Sequence, residues 1–180
     1  MPPEALQCIT GSGAIVGDTL SADNRVRKIS FTGSRDVGEQ ICRTGGLKKV
    51  TMELGSNAPV VVMSDADMEK VASATVMTGY ANAGQVCISS QRILVNDKVY
   101  GDFLDALKPK VEAITTGNPL DESVKMGPMV RANDAKRVKD WIGEAVSGGA
   151  TLVSGGGLNG TMHQPTIVAD VDPKMRISCD

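Results

Sequence analysis

The chain has 180 residues, of which 41% are hydrophobic and 22% are charged, and its formal net charge is −2. This composition suits a globular protein with a sizeable core and excludes a disordered chain, and the interspersed charges lack the basic stripe of a nucleic-acid-binding protein. No apolar run approaches the length of a membrane span.

The first third of the chain alternates short apolar runs with helical segments. Residues 6–10 are predicted as a short strand, and residues 11–23 as a turn that opens a helix. A strand over 26–34 ends in a glycine turn, and the helix after it stops at Gly45 and Gly46. Two further strands follow, "KKVTMELGS" and "APVVVM".

The rest of the chain continues the alternation. A helix is predicted over 65–79, followed by a cysteine-bearing turn and the strand "QRILVN". Residues 99–114 have the apolar spacing of an amphipathic helix, which Pro109 is expected to kink or break. A long polar loop, the helix "RANDAKRVKDWIGEAVSGG" and the strands "ATLVSGGG" and "QPTIVADV" follow. This order predicts an α/β fold with a mainly parallel sheet flanked by helices.

The inventory of cysteine and histidine argues against a metal site. None of the four cysteines is spaced from another as in a CxxC motif, and the chain has a single histidine, His163. The start of the sequence lacks a secretory signal, so we expect a cytoplasmic protein with free thiols. Cys8, Cys42 and Cys179 are expected to have no catalytic role. His163 is predicted at the surface, and Trp141 in the core.

A glycine turn links the strand over 26–34 to its helix. The motif "FTGS" holds Gly33 and Ser34, and Gly38 follows in the helix. Glycines at such a turn let the backbone approach a phosphate or a flat ring, beside the free N–H groups of the helix N-terminus. A tight turn without any ligand is the alternative. The run "TGSGAIVG" over 10–17 is similar to a dinucleotide-binding fingerprint and is equally ambiguous alone.

Glu53 ends an apolar strand just before Gly55. Open α/β folds bind ligands at the carboxyl edge of the sheet, so this carboxylate is a candidate general base with a pKa raised by partial burial. A solvated loop glutamate is the alternative.

Cys87 stands in the motif "NAGQVC", directly after a turn rather than inside an element. A thiolate is a strong nucleophile toward a carbonyl carbon, whereas a small buried apolar residue is the alternative role. A strand and a helix separate Glu53 from Cys87. Both can therefore lie at the same edge of the sheet, with the glycine turn beside them.

A series of motifs along the whole chain resembles the aldehyde dehydrogenase superfamily in order and spacing. They are "FTGS", "MELGSNAPVVV", "DADMEKV", "NAGQVC", "QRILV", "GNP", "MGPMV" and "QPTIV". The resemblance implies that residues 1–54 are the end of a Rossmann-like dinucleotide-binding domain. Residues 55–180 would be the catalytic domain, incomplete at its C-terminus. Both ends are expected to be cuts through a larger fold.

The resemblance also implies roles for individual residues. Cys87 would be the nucleophile that forms a thiohemiacetal and then a thioester, with its backbone N–H as an oxyanion donor. Glu53 would be the general base. Gly33 and Ser34 would lie along the pyrophosphate and nicotinamide ribose of NAD or NADP, with NAD favoured.

Two further residues complete the implied cofactor site, in which Leu54 would press on the nicotinamide ring and Gly38 would line the turn. The implied partners are a small aldehyde and, for the full-length enzyme, further copies of itself in a dimer or tetramer. The identity of the aldehyde and the choice between NAD and NADP depend on segments outside this chain.

Two other interpretations stay open. In a CoA-acylating aldehyde dehydrogenase, CoA takes the acyl group in place of water, and Glu53 favours hydrolysis because that branch often lacks this glutamate. Alternatively, the chain is a catalytically incompetent fragment that retains a reactive thiol. "ELGSN" in place of the commoner "ELGGK" indicates a subfamily.

Overall fold

The structure is a computed structural model that describes residues 2–179. The chain divides into two compact units, Met1–Gly55 and Ser56–Asp180. No helix within the described residues is both long enough and apolar enough to cross a membrane.

The first unit is built on a β–α–β motif. Strand β1 (Lys28–Gly33) leads through helix α2 (Arg35–Gly45) to strand β2 (Lys49–Leu54), and the two strands pair in parallel. Before them lie a 3-10 helix (Pro3–Ala5), a π-helix (Gly13–Gly17) and helix α1 (Asp18–Ala22).

The short strand predicted over residues 6–10 is wrong, since this segment has no regular structure. Leu6 and Ile9, the apolar residues behind the prediction, are 81% and 62% exposed. Apolar residues stabilise a strand only where a neighbouring strand and a core receive them. The predicted helix over 11–23 is confirmed, although it begins as a π-helix and ends at Ala22.

The ends of α2 follow from local chemistry. Ser34 has extended backbone, and its hydroxyl accepts a hydrogen bond of 3.5 Å from the backbone N–H of Val37. This is the N-cap role that serine favours. Gly46 follows the last residue with φ of +58°, a left-handed conformation that glycine adopts without steric cost. The stop predicted at Gly45 and Gly46 is therefore confirmed.

The second unit opens with another parallel β–α–β motif. Strand β3 (Pro59–Val62) is followed by helix α3 (Met68–Gly79), a 3-10 helix (Ala81–Gly84) and strand β4 (Arg92–Val95). The parallel register pairs Pro59 with Arg92 and Val62 with Val95.

The rest of the second unit adds four strands and three helices. After a 3-10 helix (Asp97–Val99), they follow in the order α4 (Tyr100–Glu112), α5 (Ala132–Ser147), β5 (Thr151–Ser154), β6 (Leu158–Asn159), β7 (Met162–His163), β8 (Ile167–Ala169) and α6 (Arg176–Cys179). The α/β class is confirmed, and β1–β2 and β3–β4 are parallel as predicted. Strands β5 and β8, and the hairpin β6–β7, are antiparallel instead. Only a hairpin separates β5 from β8, whereas a parallel connection needs a helix-length crossover.

The main core of the second unit lies between α3, α4 and the neighbouring strands. Its buried members are Ala72, Phe103, Leu107, Val111 and Ile167. The helix α4 continues through Pro109, so this proline does not break the helix, and a kink at it stays a prediction. A proline inside a helix removes one backbone hydrogen bond, and the burial of the leucine and valine on either side of it offsets that loss.

Two side chains differ from their predicted environments. His163 was predicted at the surface but is only 7% exposed, and its Nε2 lies 2.8 Å from the carbonyl oxygen of Ala135. Trp141, predicted in the core, is half-buried on α5. The guanidinium carbons of Arg137 and Arg176 lie 4.8 Å and 5.2 Å from its ring centroid, within range of cation–π attraction.

Candidate active site

The turn before Cys87 has an unusual backbone. Asn82, Ala83 and Gly84 are consecutive residues with positive φ, at 51°, 56° and 73°. For residues other than glycine, this conformation costs roughly 1–2 kcal/mol each. Such a conformation persists only when surrounding contacts impose it, and it concentrates at functional sites.

Hydrogen bonds from Gln85 impose this conformation. The Gln85 side-chain amide donates to the carbonyl oxygen of Asn82 at 3.0 Å, and the Asn82 amide donates back to the Gln85 carbonyl at 3.3 Å. The Gln85 Oε1 accepts a bond of 3.0 Å from the backbone N–H of Val130, in the loop before α5. The turn is thus tied to a segment far along the chain.

Cys87 is exposed, and hydrogen bonds hold the peptide groups on both of its sides. The carbonyl oxygen of Val86 accepts from the backbone N–H of Ser89 at 3.0 Å. The carbonyl oxygen of Cys87 itself accepts from the hydroxyl of Ser56 at 2.7 Å. A solvent-accessible thiol is therefore carried on an anchored backbone.

Glu53 and Leu54 end β2 in the first unit, where they pair with Thr32 and Gly33 of β1. The partial burial predicted for Glu53 is wrong in this structure, where the residue is exposed. Glu53 lies near the end of a sheet of two strands, so solvent reaches its side chain.

The predicted cofactor residues of the first unit lie together. Gly33 is paired with Leu54, and Ser34 is the N-cap residue of α2. Gly38 is buried in the first turn of α2, and it packs on the side chain of Leu54; its role in lining the cofactor turn stays a prediction. Packing also favours glycine at position 33, because a Cβ there would collide with the ring of Phe31.

The site residues predicted from sequence are thus divided between the two units. Gly33, Ser34, Gly38, Glu53 and Leu54 belong to the first, and Cys87 belongs to the second. The meeting of Glu53 with Cys87 stays a prediction. All four cysteines are free and exposed, and residues 2–179 contain no group of three or more potential ligands that could hold a metal ion.

Sequence reasoning missed Ser56 as a partner of Cys87. The signal was available in principle, because Ser56 and Cys87 both stand in loops that precede β3 and β4. Strands that pair in parallel begin at the same edge of the sheet, so the loops before them meet there. Pairing of these two strands was not evident from either segment alone.

Comparisons with known proteins agree with this architecture. A sequence model of the aldehyde dehydrogenase family matches residues 1–180. The 3-sulfolactaldehyde dehydrogenase of Priestia aryabhattai is 44% identical over 177 residues, which are 98% of this chain and 37% of that protein. The glutarate-semialdehyde dehydrogenase of Pseudomonas aeruginosa is 39% identical over 185 residues, covering 100% of this chain and 38% of that protein.

Solved structures give the same result. A 3,6-anhydro-L-galactose dehydrogenase in complex with NAP superposes with a TM-score of 0.90 and 36% identity, over 94% of this chain and 38% of that one. The betaine aldehyde dehydrogenase of Staphylococcus aureus in complex with NAD⁺ has a TM-score of 0.89 and 31% identity, over 94% and 36%. This chain spans well under half the length of these relatives. Its whole length matches the family, and the chain belongs to the aldehyde dehydrogenase family.

Proposed function

We propose that the protein carrying this chain oxidises a small aldehyde to the carboxylic acid, with Cys87 as the nucleophile. The Cys87 thiolate adds to the aldehyde carbon and forms a thiohemiacetal. That carbon then loses its hydrogen together with two electrons, as a hydride, and the hydroxyl oxygen loses its proton, which leaves a thioester on the sulfur. Water then attacks the thioester, Glu53 accepts its proton, and the acid leaves with the thiol restored.

The observation that carries this proposal is the exposed Cys87 thiol on an anchored turn. The left-handed residues before it and the hydrogen bonds on both sides of it fix the backbone that bears the sulfur. Such preorganisation favours reaction because less motion must be frozen when the sulfur and the carbonyl carbon meet. A cysteine that served only to fill a core would be buried, and Cys87 is not.

The first unit has features that fit a dinucleotide. Helix α2 begins directly after parallel strand β1, and the N–H groups at its start favour an anion such as a pyrophosphate. We assign Gly33 and Ser34 to that contact, and Leu54, with Gly38 packed behind it, to the nicotinamide ring. When bound, NAD(P)⁺ supplies the acceptor for the electrons lost by the aldehyde.

The test is an assay of aldehyde-dependent NAD(P)H formation, with succinate semialdehyde, glutarate semialdehyde and 3-sulfolactaldehyde among the substrates. Cys87→Ser should abolish the activity, since the serine hydroxyl is a far weaker nucleophile without an adjacent base. Cys42→Ser, which changes another exposed thiol, is the matched control and should retain activity. Full activity of Cys87→Ser would overturn the proposal.

The choice of nucleotide, the location, the assembly and the roles of the two units also belong to the proposal. We favour NAD over NADP, and a parallel assay with each nucleotide decides between them. We also propose a cytoplasmic protein that assembles into a homodimer or homotetramer, as the family resemblance implies. The unit Met1–Gly55 is assigned to the cofactor domain and Ser56–Asp180 to the catalytic domain, with their boundary one residue after the one predicted from sequence.

A further inference from the structure

Ser56 and Cys87 stand before two paired strands. Ser56 precedes β3, Cys87 precedes β4, and the parallel register of these strands places both loops at one edge of the sheet. There the Ser56 hydroxyl donates a hydrogen bond of 2.7 Å to the carbonyl oxygen of Cys87. A side chain 31 residues away in sequence thus contacts the backbone of the cysteine itself.

This bond holds one of the two peptide planes that meet at the Cα of Cys87. The plane on the N-terminal side, which carries the Cys87 N–H, is held through the bond from Ser89 N–H to the Val86 carbonyl oxygen. The plane on the C-terminal side is held through the Ser56 hydroxyl. Together the two bonds limit rotation about φ and ψ of Cys87, and therefore fix the direction of its Cα–Cβ bond.

The two bonds differ in what they fix. The bond between Ser89 and Val86 lies inside the turn and would move with it. The bond from Ser56 joins the turn to the segment that leads into β3, so it fixes the position of Cys87 relative to the sheet. Only the second bond depends on a side chain, and it can therefore be removed by substitution without altering the turn sequence.

We propose that Ser56 is a positioning residue that aims the Cys87 thiol through the carbonyl of Cys87. The inference rests on the proposed function, in which Cys87 is the nucleophile. Ser56 acts on the orientation of the sulfur during the chemical step and makes no contact with substrate. Its removal should therefore lower kcat and leave KM almost unchanged.

The experiment compares three variants in the assay of aldehyde oxidation. Ser56→Ala removes the hydroxyl, and Ser56→Thr keeps it. Thr115→Val is the matched control, because the Thr115 hydroxyl donates a similar bond of 2.6 Å to the carbonyl oxygen of Ser123 elsewhere in the same unit. We expect Ser56→Ala to lower kcat on the order of tenfold with KM within about twofold of wild type. Ser56→Thr should restore most of kcat, and Thr115→Val should match wild type.

Hydrogen exchange supplies a second measurement that does not depend on turnover. The peptide containing residues 86–89 should exchange faster in Ser56→Ala than in wild type, and Ser56→Thr should regain the protection. Unchanged exchange, unchanged kcat in Ser56→Ala, or an equal loss of kcat in Thr115→Val would overturn the role of Ser56. Full activity of Cys87→Ser would instead overturn the proposed function, and the positioning role would fall with it.

Discussion

Gly38 of α2 and Leu54 of β2 are in such close contact that a Cβ atom on Gly38 would lie 2.8 Å from Cδ2 of Leu54. Leu54 is the residue that we assign to the nicotinamide ring. Because Gly38 has no side chain, α2 leaves room for the Leu54 side chain in its observed orientation.

Gly38→Ala should therefore weaken nucleotide binding more than it weakens the fold. The colliding atom is the end of a flexible side chain, so we expect a loss of stability of about 1 kcal/mol at most. The displaced leucine should raise the Kd of NAD(P)⁺, measured by fluorescence titration. Gly45→Ala, at the other end of α2, is the control, because a Cβ there would meet its nearest neighbour, Cδ1 of Ile29, at 3.5 Å. Equal affinity in both variants would contradict the assignment of Leu54.

The turn before Cys87 should tolerate side chains poorly at Gly84. Its φ of +73° and the carbonyl oxygen of Gly79, 3.4 Å from an added Cβ, disfavour alanine. We expect Gly84→Ala to lower the free energy of unfolding by about 1–2 kcal/mol. Gly143→Ala, inside α5 with open space around its Cβ, should raise it by roughly 0.5–1 kcal/mol. Urea denaturation of both variants checks these opposite signs, and a stabilised Gly84→Ala would contradict the backbone described for this turn.

Tyr80 should make the second unit less stable at alkaline pH. Burial raises the pKa of its phenol above the ordinary value of 10.0, and its hydroxyl donates a bond of 2.9 Å to the carbonyl oxygen of Thr166. The folded state therefore keeps the proton that the unfolded state loses. The stabilisation is fully present below about pH 10 and is lost as pH rises toward the higher folded pKa, by about 1.4 kcal/mol per pH unit.

The control for this alkaline effect is Tyr80→Phe, which keeps the ring and removes the titrating group. Unfolding by urea, measured at several pH values between 8 and 11, should show a shallower loss of stability in this variant. If the free energy of unfolding falls with pH as steeply in Tyr80→Phe as in wild type, other groups cause the loss of stability. One such group is Tyr100, whose pKa is raised by burial and by its hydrogen bond with Asp170.

Glu53→Gln should slow release of the acid rather than formation of the thioester. Loss of a general base typically costs a factor of about 10²–10⁴, so an initial burst of NAD(P)H should be retained while steady-state turnover falls. Glu4→Gln, which changes another exposed glutamate in the first unit, should behave as wild type. Normal turnover in Glu53→Gln would contradict its role, and acceleration of the wild type by CoA would favour the acylating alternative.

How far the sequence predicts this structure depends on the range of the interactions involved. The β1–α2–β2 motif was predictable because its signals are local: an alternating apolar strand, a serine at the N-cap and Gly46 at the helix end. The burial of His163 on β7 was not, because it depends on packing against α5, where the carbonyl of Ala135 lies. Residues 6–10 have the apolar content of a strand but no strand beside them.

In the candidate site, too, local signals could be recognised in the sequence and contacts between distant segments could not. Cys87 and Glu53 could be chosen from their positions after strands and turns, and the resemblance to a family strengthened the choice. The contact between Ser56 and Cys87 could not, because it follows from pairing of β3 with β4. The contact between Gln85 and Val130 likewise joins segments 45 residues apart. The candidate residues with reactive side chains could thus be chosen from the sequence, whereas the residues that hold their backbone could not.

The role of Cys87 is tested most directly by the reactivity of the four thiols toward an electrophilic probe across pH, with each label located by peptide mass. Since all four cysteines are exposed, accessibility alone predicts similar rates. If Cys87 is the nucleophile, it is labelled well before Cys8, Cys42 and Cys179, and Glu53→Gln changes the pH profile of its labelling. Equal rates for all four thiols would contradict the assignment of Cys87 as the nucleophile.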